Sequence, residues 1–357
     1  MRIETIAVHA GSEPNPAVGA VTPSIDLSTI YERGDDGGYP HGHSYARRSN
    51  PNRSALERTL AALEGGIDAA AFASGSAATH AVFSALGPGA HVVAPANAYY
   101  GTRVILSDLF GPWGLRTTLV DMADVASVKR AVTATTSLVW IESPGNPMLD
   151  VAPLAEIAAI ARAAGVVSAC DNTLATPFFQ RPFELGVDLA VHATTKYLAG
   201  HSDVIGGAVV AREASGLFER IRHIQHAAGA VPSPFECWLV QRGIRTLPHR
   251  MRVHTANALA VAEFLRAHAL VEAVHHPGFS GVLSFQVRGG EAAAMRVAAR
   301  VRVFTRATSF GGPESLIEHR ASVEGPDTST PRNLLRLSVG LEHPDDLIED
   351  LADALNP

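Results

Sequence analysis

Seven short apolar runs punctuate the first two-thirds of the chain: AAAFA, HVVAP, RTTLV, SLVWIES, GVVSACD, DLAVHA and GAVVA. They show little polar alternation, and helical stretches such as 153–164 separate them. That pattern suits strands of a mostly parallel sheet covered on both faces. A helix precedes the first run, because Leu56, Leu60 and Leu63 fall at helical spacing within NRSALERTLAALEGG and Gly65 and Gly66 supply a stop. The reading is an α/β domain spanning 51–235.

Residues 1–50 are rich in Gly, Pro, Asp and Ser and have no sustained period. They are expected to form an extended arm rather than a packed element, and such an arm can reach a neighbouring subunit. At the other end, VPSPFECW breaks the α/β pattern, and one long helical stretch is expected over about 236–268, bent at Pro248. The segments GVLSFQVRG, 291–300 (helical), RVFTRATS, LLRLSVG and PDDLIEDLADAL then read as a smaller α+β domain, 236–357.

Composition narrows the function classes. With 357 residues and 46% hydrophobic content the chain can bury a large core. Its 29 basic and 35 acidic residues are mixed along the chain and give a net charge of −6, so no basic stripe marks a nucleic-acid partner. The first residues lack a signal-peptide core and no later segment approaches a membrane span, which places the expected location in the cytoplasm. Cys170 and Cys237 form no CxxC and read as small core residues. The HGH at 41–43 and the HH at 275–276 lack the spacing and the nearby carboxylate of a metal site, so no metal is expected.

The chemistry concentrates at the ends of the apolar runs, where ligands of open α/β sheets collect. Ser74-Gly75-Ser76 follows the first run and opens a helix, offering free backbone N–H groups to an anion. Asp171 ends another run, and Thr194, Thr195 and Lys196 end a third. A phosphate cradle, a carboxylate and a lysine with hydroxyls together describe a pyridoxal phosphate site: the lysine bonds the aldehyde and the carboxylate keeps the pyridine nitrogen protonated.

The segments HSYARRSNPNRSALERTLAALEGG, FASGSAA, AYYGT, ESPGNP, DNTLATP, TKYLAGHSDVIGG, SPFECWLVQRGIRTL, SFGGPESL and LLRLSVGLE carry a resemblance nearly end to end. The chain resembles the trans-sulfuration family of pyridoxal phosphate enzymes, which includes cystathionine γ-lyase, cystathionine γ-synthase and methionine γ-lyase. The resemblance implies a fold type I transferase architecture, α/β with a mostly parallel seven-stranded sheet plus a smaller C-terminal α+β domain. It also implies a homotetramer built from dimers with shared active sites. By this resemblance Lys196 carries the cofactor, Asp171 faces its ring nitrogen, and Gly75, Ser76 and Thr195 hold its phosphate. Tyr45 and Arg47 match a pair that reaches a neighbour's phosphate site. Tyr99 matches the ring-stacking tyrosine that assists proton transfer, Asn146 the asparagine near the phenolic oxygen, and Arg336 and Ser309 the substrate carboxylate pocket.

Three departures from the family pattern stand out. Ala193 occupies a position usually held by Ser, which removes a phosphate hydroxyl unless Thr194 turns inward. HHPGFSGVLSF joins two motifs that relatives separate, which reads as a shortened surface connection over about 278–282. Thr308 stands where enzymes handling cystathionine carry Glu, and Gly101 where methionine γ-lyases carry Cys. The expected reaction is γ-elimination on a sulfur-containing amino acid, as in cystathionine γ-lyase. The alternatives are cystathionine γ-synthase-type γ-replacement on an O-acyl homoserine, methionine γ-lyase or β-lyase chemistry, and a catalytically idle interaction protein.

Overall fold

The structure, a computed structural model, describes residues 1–15, 18–326 and 328–356. All seven apolar runs become strands of one sheet: β1 Asp68–Phe72, β2 His91–Pro95, β3 Arg116–Val120, β4 Thr136–Glu142, β5 Val167–Asp171, β6 Leu189–His192 and β7 Gly207–Ala211. Their order is β1-β7-β6-β5-β4-β2-β3. Only β7 runs antiparallel to its neighbours. Burial on both faces explains the unbroken apolar runs, and it leaves the strand ends as the places where polar side chains can emerge. The helix that follows β1, Gly75–Ser84, starts where the Ser74 hydroxyl accepts the Ala77 N–H.

A second sheet has the order β10-β11-β12-β9-β8, built from β8 Val271–His275, β9 Val282–Val287, β10 Thr305–Arg306, β11 Leu316–His319 and β12 Leu334–Ser338. The two sheets share a core. One buried apolar cluster runs from Leu56 and Leu60 through Tyr197 and Met251 to Phe285 and Leu337. The turn after β6 is therefore clamped between the halves rather than left on a surface.

Four features differ from expectation. The helical stretch after 235 is two helices, Pro234–Ile244 and Leu247–Ala267, rather than one bent helix. Continuing the first would set the Pro248 ring against the Ile244 carbonyl, so the chain stops at Arg245–Thr246 and restarts with Pro248 in the new first turn. The arm contains a packed element: Ile3–His9 is a helix with Ala7 buried, and Ile3 and Ile6 pack on the core. Strands β8 and β11 were not anticipated, whereas RVFTRATS supplies only the two-residue β10. The connection after HHPGF is not a surface one at its end. Ser280 is buried, its hydroxyl donating to the Leu174 carbonyl at 2.9 Å, and the Gly281 N–H donates to the Tyr197 hydroxyl at 3.0 Å.

Gly243 shows how tightly the clamp is built. A Cβ there would lie 2.0 Å from the Ala199 carbonyl oxygen, in the turn that follows Lys196. Neither helix nor turn has a flexible end to yield, so Gly243→Ala is expected to destabilise the protein by about 1–3 kcal/mol, measured by equilibrium denaturation; an unchanged midpoint would show that the turn can move away.

Candidate active site

Strands β4, β5 and β6 are parallel neighbours, so their carboxyl ends bring Glu142, Asp171 and the 193–196 turn to one edge. Glu142 and Asp171 stand directly opposite each other in register. Glu142 is buried and accepts from the Tyr99 N–H at 2.6 Å, the Thr102 hydroxyl at 2.7 Å and the Trp140 indole N–H at 3.2 Å. Asp171 accepts from the Thr173 N–H at 3.0 Å. Burial, joined by the charge of Asp171, holds the Glu142 carboxyl above the ordinary carboxylate range. Burial also raises Asp171, against its bonds to Thr173 and the nearby His192.

Lys196 stands in the turn after β6, partly buried, and its Nζ donates to Ser309 Oγ at 2.6 Å and lies 5.1 Å from the Phe310 ring centroid. Burial and the positive charge of Arg336 lower its pKa from 10.5 to about 8. Ser309 comes from the loop before β11 and has a left-handed φ of 99°. Such a backbone is strained for a serine, by about 1–3 kcal/mol. Gly311, at φ 91°, follows because a Cβ there would meet the Tyr197 nitrogen at 2.8 Å.

Arg336 projects from β12 and is buried. Nη1 donates to Asn146 Oδ1 at 3.2 Å, Nη2 to the Ser309 carbonyl at 2.9 Å, and Nη2 also pairs with Glu318 at 2.6 Å. Its Nε is buried without a hydrogen-bond partner. One cleft is thus lined by Gly75, Ser76, Tyr99, Asn146, Asp171, Thr195, Lys196, Ser309 and Arg336, nine residues singled out in the sequence. Tyr45 and Arg47 are not among its lining residues. Tyr45 is exposed, and Arg47 Nη1 donates to the His226 carbonyl at 2.5 Å with its guanidinium 5.6 Å from the Tyr45 ring centroid.

The anion cradle is narrow. The Gly75 and Ser76 N–H groups open the helix and have no intrahelical acceptor. A Cβ on Gly75 would meet the Ala193 Cβ at 2.7 Å. Ala193 lines the cleft and Thr194 does not, so Thr194 does not replace the missing hydroxyl. The Thr195 hydroxyl bonds both the carbonyl and the N–H of Gly206, at 3.1 and 3.0 Å.

Residues 4–356 match the Cys/Met metabolism PLP-dependent enzyme family. The chain belongs to this family. Cystathionine gamma-synthase of Mycobacterium tuberculosis is 44% identical, with 98% of this chain and 96% of that protein covered. The crystal structure of metB from Corynebacterium glutamicum has a TM-score of 0.97 at 36% identity, covering 100% of this chain and 98% of that one. The crystal structure of cystathionine gamma-lyase from Lactobacillus plantarum complexed with L-serine has a TM-score of 0.94 at 36% identity, covering 99% and 98%. The protein is a pyridoxal phosphate-dependent trans-sulfuration enzyme acting on amino acids.

The cleft suits the family's cofactor: free helix-opening N–H groups face a space that small residues keep open, and a carboxylate without an arginine or lysine partner among the described residues lines the same cleft as the lysine. Sequence reasoning missed Glu142, Thr173 and Arg320, which also line the cleft. Glu142 was within reach, since it ends SLVWIES as Asp171 ends GVVSACD. No described helix is long and apolar enough to cross a membrane.

A pKa of about 8 has a measurable consequence. The neutral, nucleophilic form of Lys196 grows as pH rises through that value rather than through 10.5. Covalent uptake of pyridoxal phosphate by cofactor-free protein, followed by visible absorbance, is expected to accelerate across that range and to be absent in Lys196→Ala. A rate insensitive to pH there would remove the depressed amine from the account.

Proposed function

We propose that this enzyme catalyses γ-replacement of the cystathionine γ-synthase type, joining an O-acyl homoserine to cysteine. The carrying observation is the wall contributed by the second half of the chain. Thr308, Ser309, Phe310, Arg320 and Arg336 line it, and the two carboxylates lining the cleft, Glu142 and Asp171, both lie at strand ends of the first sheet. A lyase must capture cystathionine, whose distal ammonium calls for a carboxylate, whereas a synthase must let it go. A wall of hydroxyl and guanidinium groups favours release. The lyase outcome favoured from sequence uses the same Lys196, Tyr99, Asp171 and Arg336, and it remains the second reading because a relative of that name shares the fold.

Bound pyridoxal phosphate supplies an electron-withdrawing ring that stabilises negative charge at the substrate α-carbon. In this reading Asp171 keeps the ring nitrogen protonated, and the Gly75 and Ser76 N–H groups take the phosphate. Arg336 holds the substrate α-carboxylate, a task suited to its planar fork. Lys196 Nζ, once the substrate amine has taken its place, removes the α-proton, steadied by Ser309 Oγ. Tyr99, fixed through its own N–H by Glu142, assists proton movement at the open side of the cleft.

With purified enzyme, O-succinyl- or O-acetylhomoserine and cysteine, the expected product is cystathionine, with little 2-oxo acid or ammonia. Release of 2-oxo acid and ammonia from cystathionine as the dominant reaction would overturn the synthase reading in favour of the lyase.

The arm extends the proposal to assembly. Tyr45 and Arg47 lie outside their own chain's cleft, and we assign them to the phosphate site of a neighbouring subunit within a homotetramer of dimers. A Tyr45→Ala/Arg47→Ala protein and a Lys196→Ala protein, each nearly inactive, are expected to regain up to about a quarter of wild-type activity per site when mixed and reassembled; mixtures that never recover activity would rule out shared sites.

A further inference from the structure

The buried charges beside Arg336 form a ladder of alternating sign. Glu318 stands opposite Arg336 in the β11–β12 pairing, and its Oε2 meets Nη2 of Arg336 at 2.6 Å and Nη1 of Arg320 at 3.0 Å. Nη2 of Arg320 donates to Glu324 Oε1 at 2.9 Å. Glu324 Oε2 accepts from the Thr328 and Thr330 hydroxyls at 2.5 and 2.9 Å and lies 3.6 Å from Arg103. The Arg336, Glu318, Arg320 and Glu324 side chains are no more than 5% exposed, so water screens little between them. Arg103, at 29%, is the end open to solvent.

A guanidinium closed onto one buried carboxylate is a neutral pair and attracts a second carboxylate weakly. Glu318 alone with Arg336 would make such a pair, to the detriment of substrate binding. Burial raises the Glu318 carboxyl, but Arg336 and Arg320 more than reverse this, and it stays ionised. Three arginines face two glutamates. Glu318 Oε2 is shared by Arg336 and Arg320, so its single charge cannot fully compensate either guanidinium, and the set keeps one positive charge in excess.

We propose that Arg320 is a positioning residue for substrate binding: by neutralising Glu318 it leaves Arg336 free to hold the substrate α-carboxylate. The inference rests on the reading of Arg336 given above. Arg320 lines the cleft, yet both its Nη groups are turned to glutamates, which suits a residue that acts through a neighbour.

Glycine is the probe, because it carries the α-amino and carboxylate groups and no side chain to eliminate. Its dissociation constant is read from the visible absorbance of the holoenzyme, with thermal melting measured alongside. Arg320→Gln is expected to weaken glycine about tenfold, the size of one charge-assisted contact. Adding Glu318→Gln should restore binding to within about threefold, because the anion that now closes on Arg336 is gone; adding Glu324→Gln instead should not. Glycine bound by Arg320→Gln as by wild type, or no recovery with Glu318→Gln, overturns the proposal. If Arg320→Gln does not fold, Glu318→Gln alone decides, since it should bind glycine no more weakly than wild type and a loss of binding would overturn the inference. Arg336→Ala separates the two levels. Unchanged glycine binding there removes Arg336 as the anchor, whereas weak binding there beside wild-type binding in Arg320→Gln removes only Arg320.

Discussion

A lysine ammonium drawn into a cleft with a hydroxyl, not a carboxylate, as its bonded partner is the constraint on which the structure turns. Lys196 bonds Ser309 Oγ at 2.6 Å and shares its surroundings with Arg336, so the protonated form is disfavoured both by lost water and by a like charge. Holding that arrangement needs two halves of the chain. The first sheet delivers the lysine at the end of β6, and the second supplies the serine from a loop with a left-handed residue and a glycine. The shared apolar cluster through Tyr197 supplies the packing that offsets the strain.

The two carboxylates at the neighbouring strand ends divide their tasks by the donors they meet. Glu142 accepts three hydrogen bonds from the protein, and one of them fixes the backbone of Tyr99. Among the described residues Asp171 accepts from Thr173 alone, through its backbone N–H and its side chain, and otherwise faces the cleft. A satisfied carboxylate is a fixture, and an under-satisfied one is available to a ligand that brings a proton. Their register also keeps them close, so a cation arriving at Asp171 would ease the charge that Glu142 now feels.

How far the chain could be read before its structure depended on the kind of signal. Strands buried on both faces leave unbroken apolar runs, and HVVAP, RTTLV and GAVVA match their strands residue for residue. Lys196, Asp171 and Gly75 followed from strand ends, a rule that applies equally to Glu142. The LIEH strand was hidden because Glu318 and His319 are buried polar residues, whose places in a sheet depend on partners outside the strand, Arg336 and Arg320 for Glu318 and the Arg332 carbonyl for His319. The helix at Ile3–His9 was legible in Ile3, Ile6 and Ala7, but the Gly- and Pro-rich residues after it dominated the reading of the arm. The break at Arg245–Thr246 follows from Pro248 once the carbonyl of Ile244 is considered.

What separates one trans-sulfuration outcome from another lies away from the lysine. Proton removal at the α-carbon is common to replacement and elimination, so in the roles proposed for them Lys196, Asp171 and Tyr99 would serve both and carry no information about the choice. The choice arises after the leaving group departs, when the site must either admit a second amino acid and release a long product or hold that product and cut it. Those alternatives differ in how firmly the far end of the substrate is held, and in the proposed reading that end would face Thr308 and the wall backed by the Glu318–Arg320–Glu324 ladder. A ladder whose carboxylates are engaged by arginines offers no anion to a distal ammonium. On the proposed reading, the charge order that leaves Arg336 its grip also leaves the distal ammonium of cystathionine without a partner, and one arrangement bears on both substrate capture and product release.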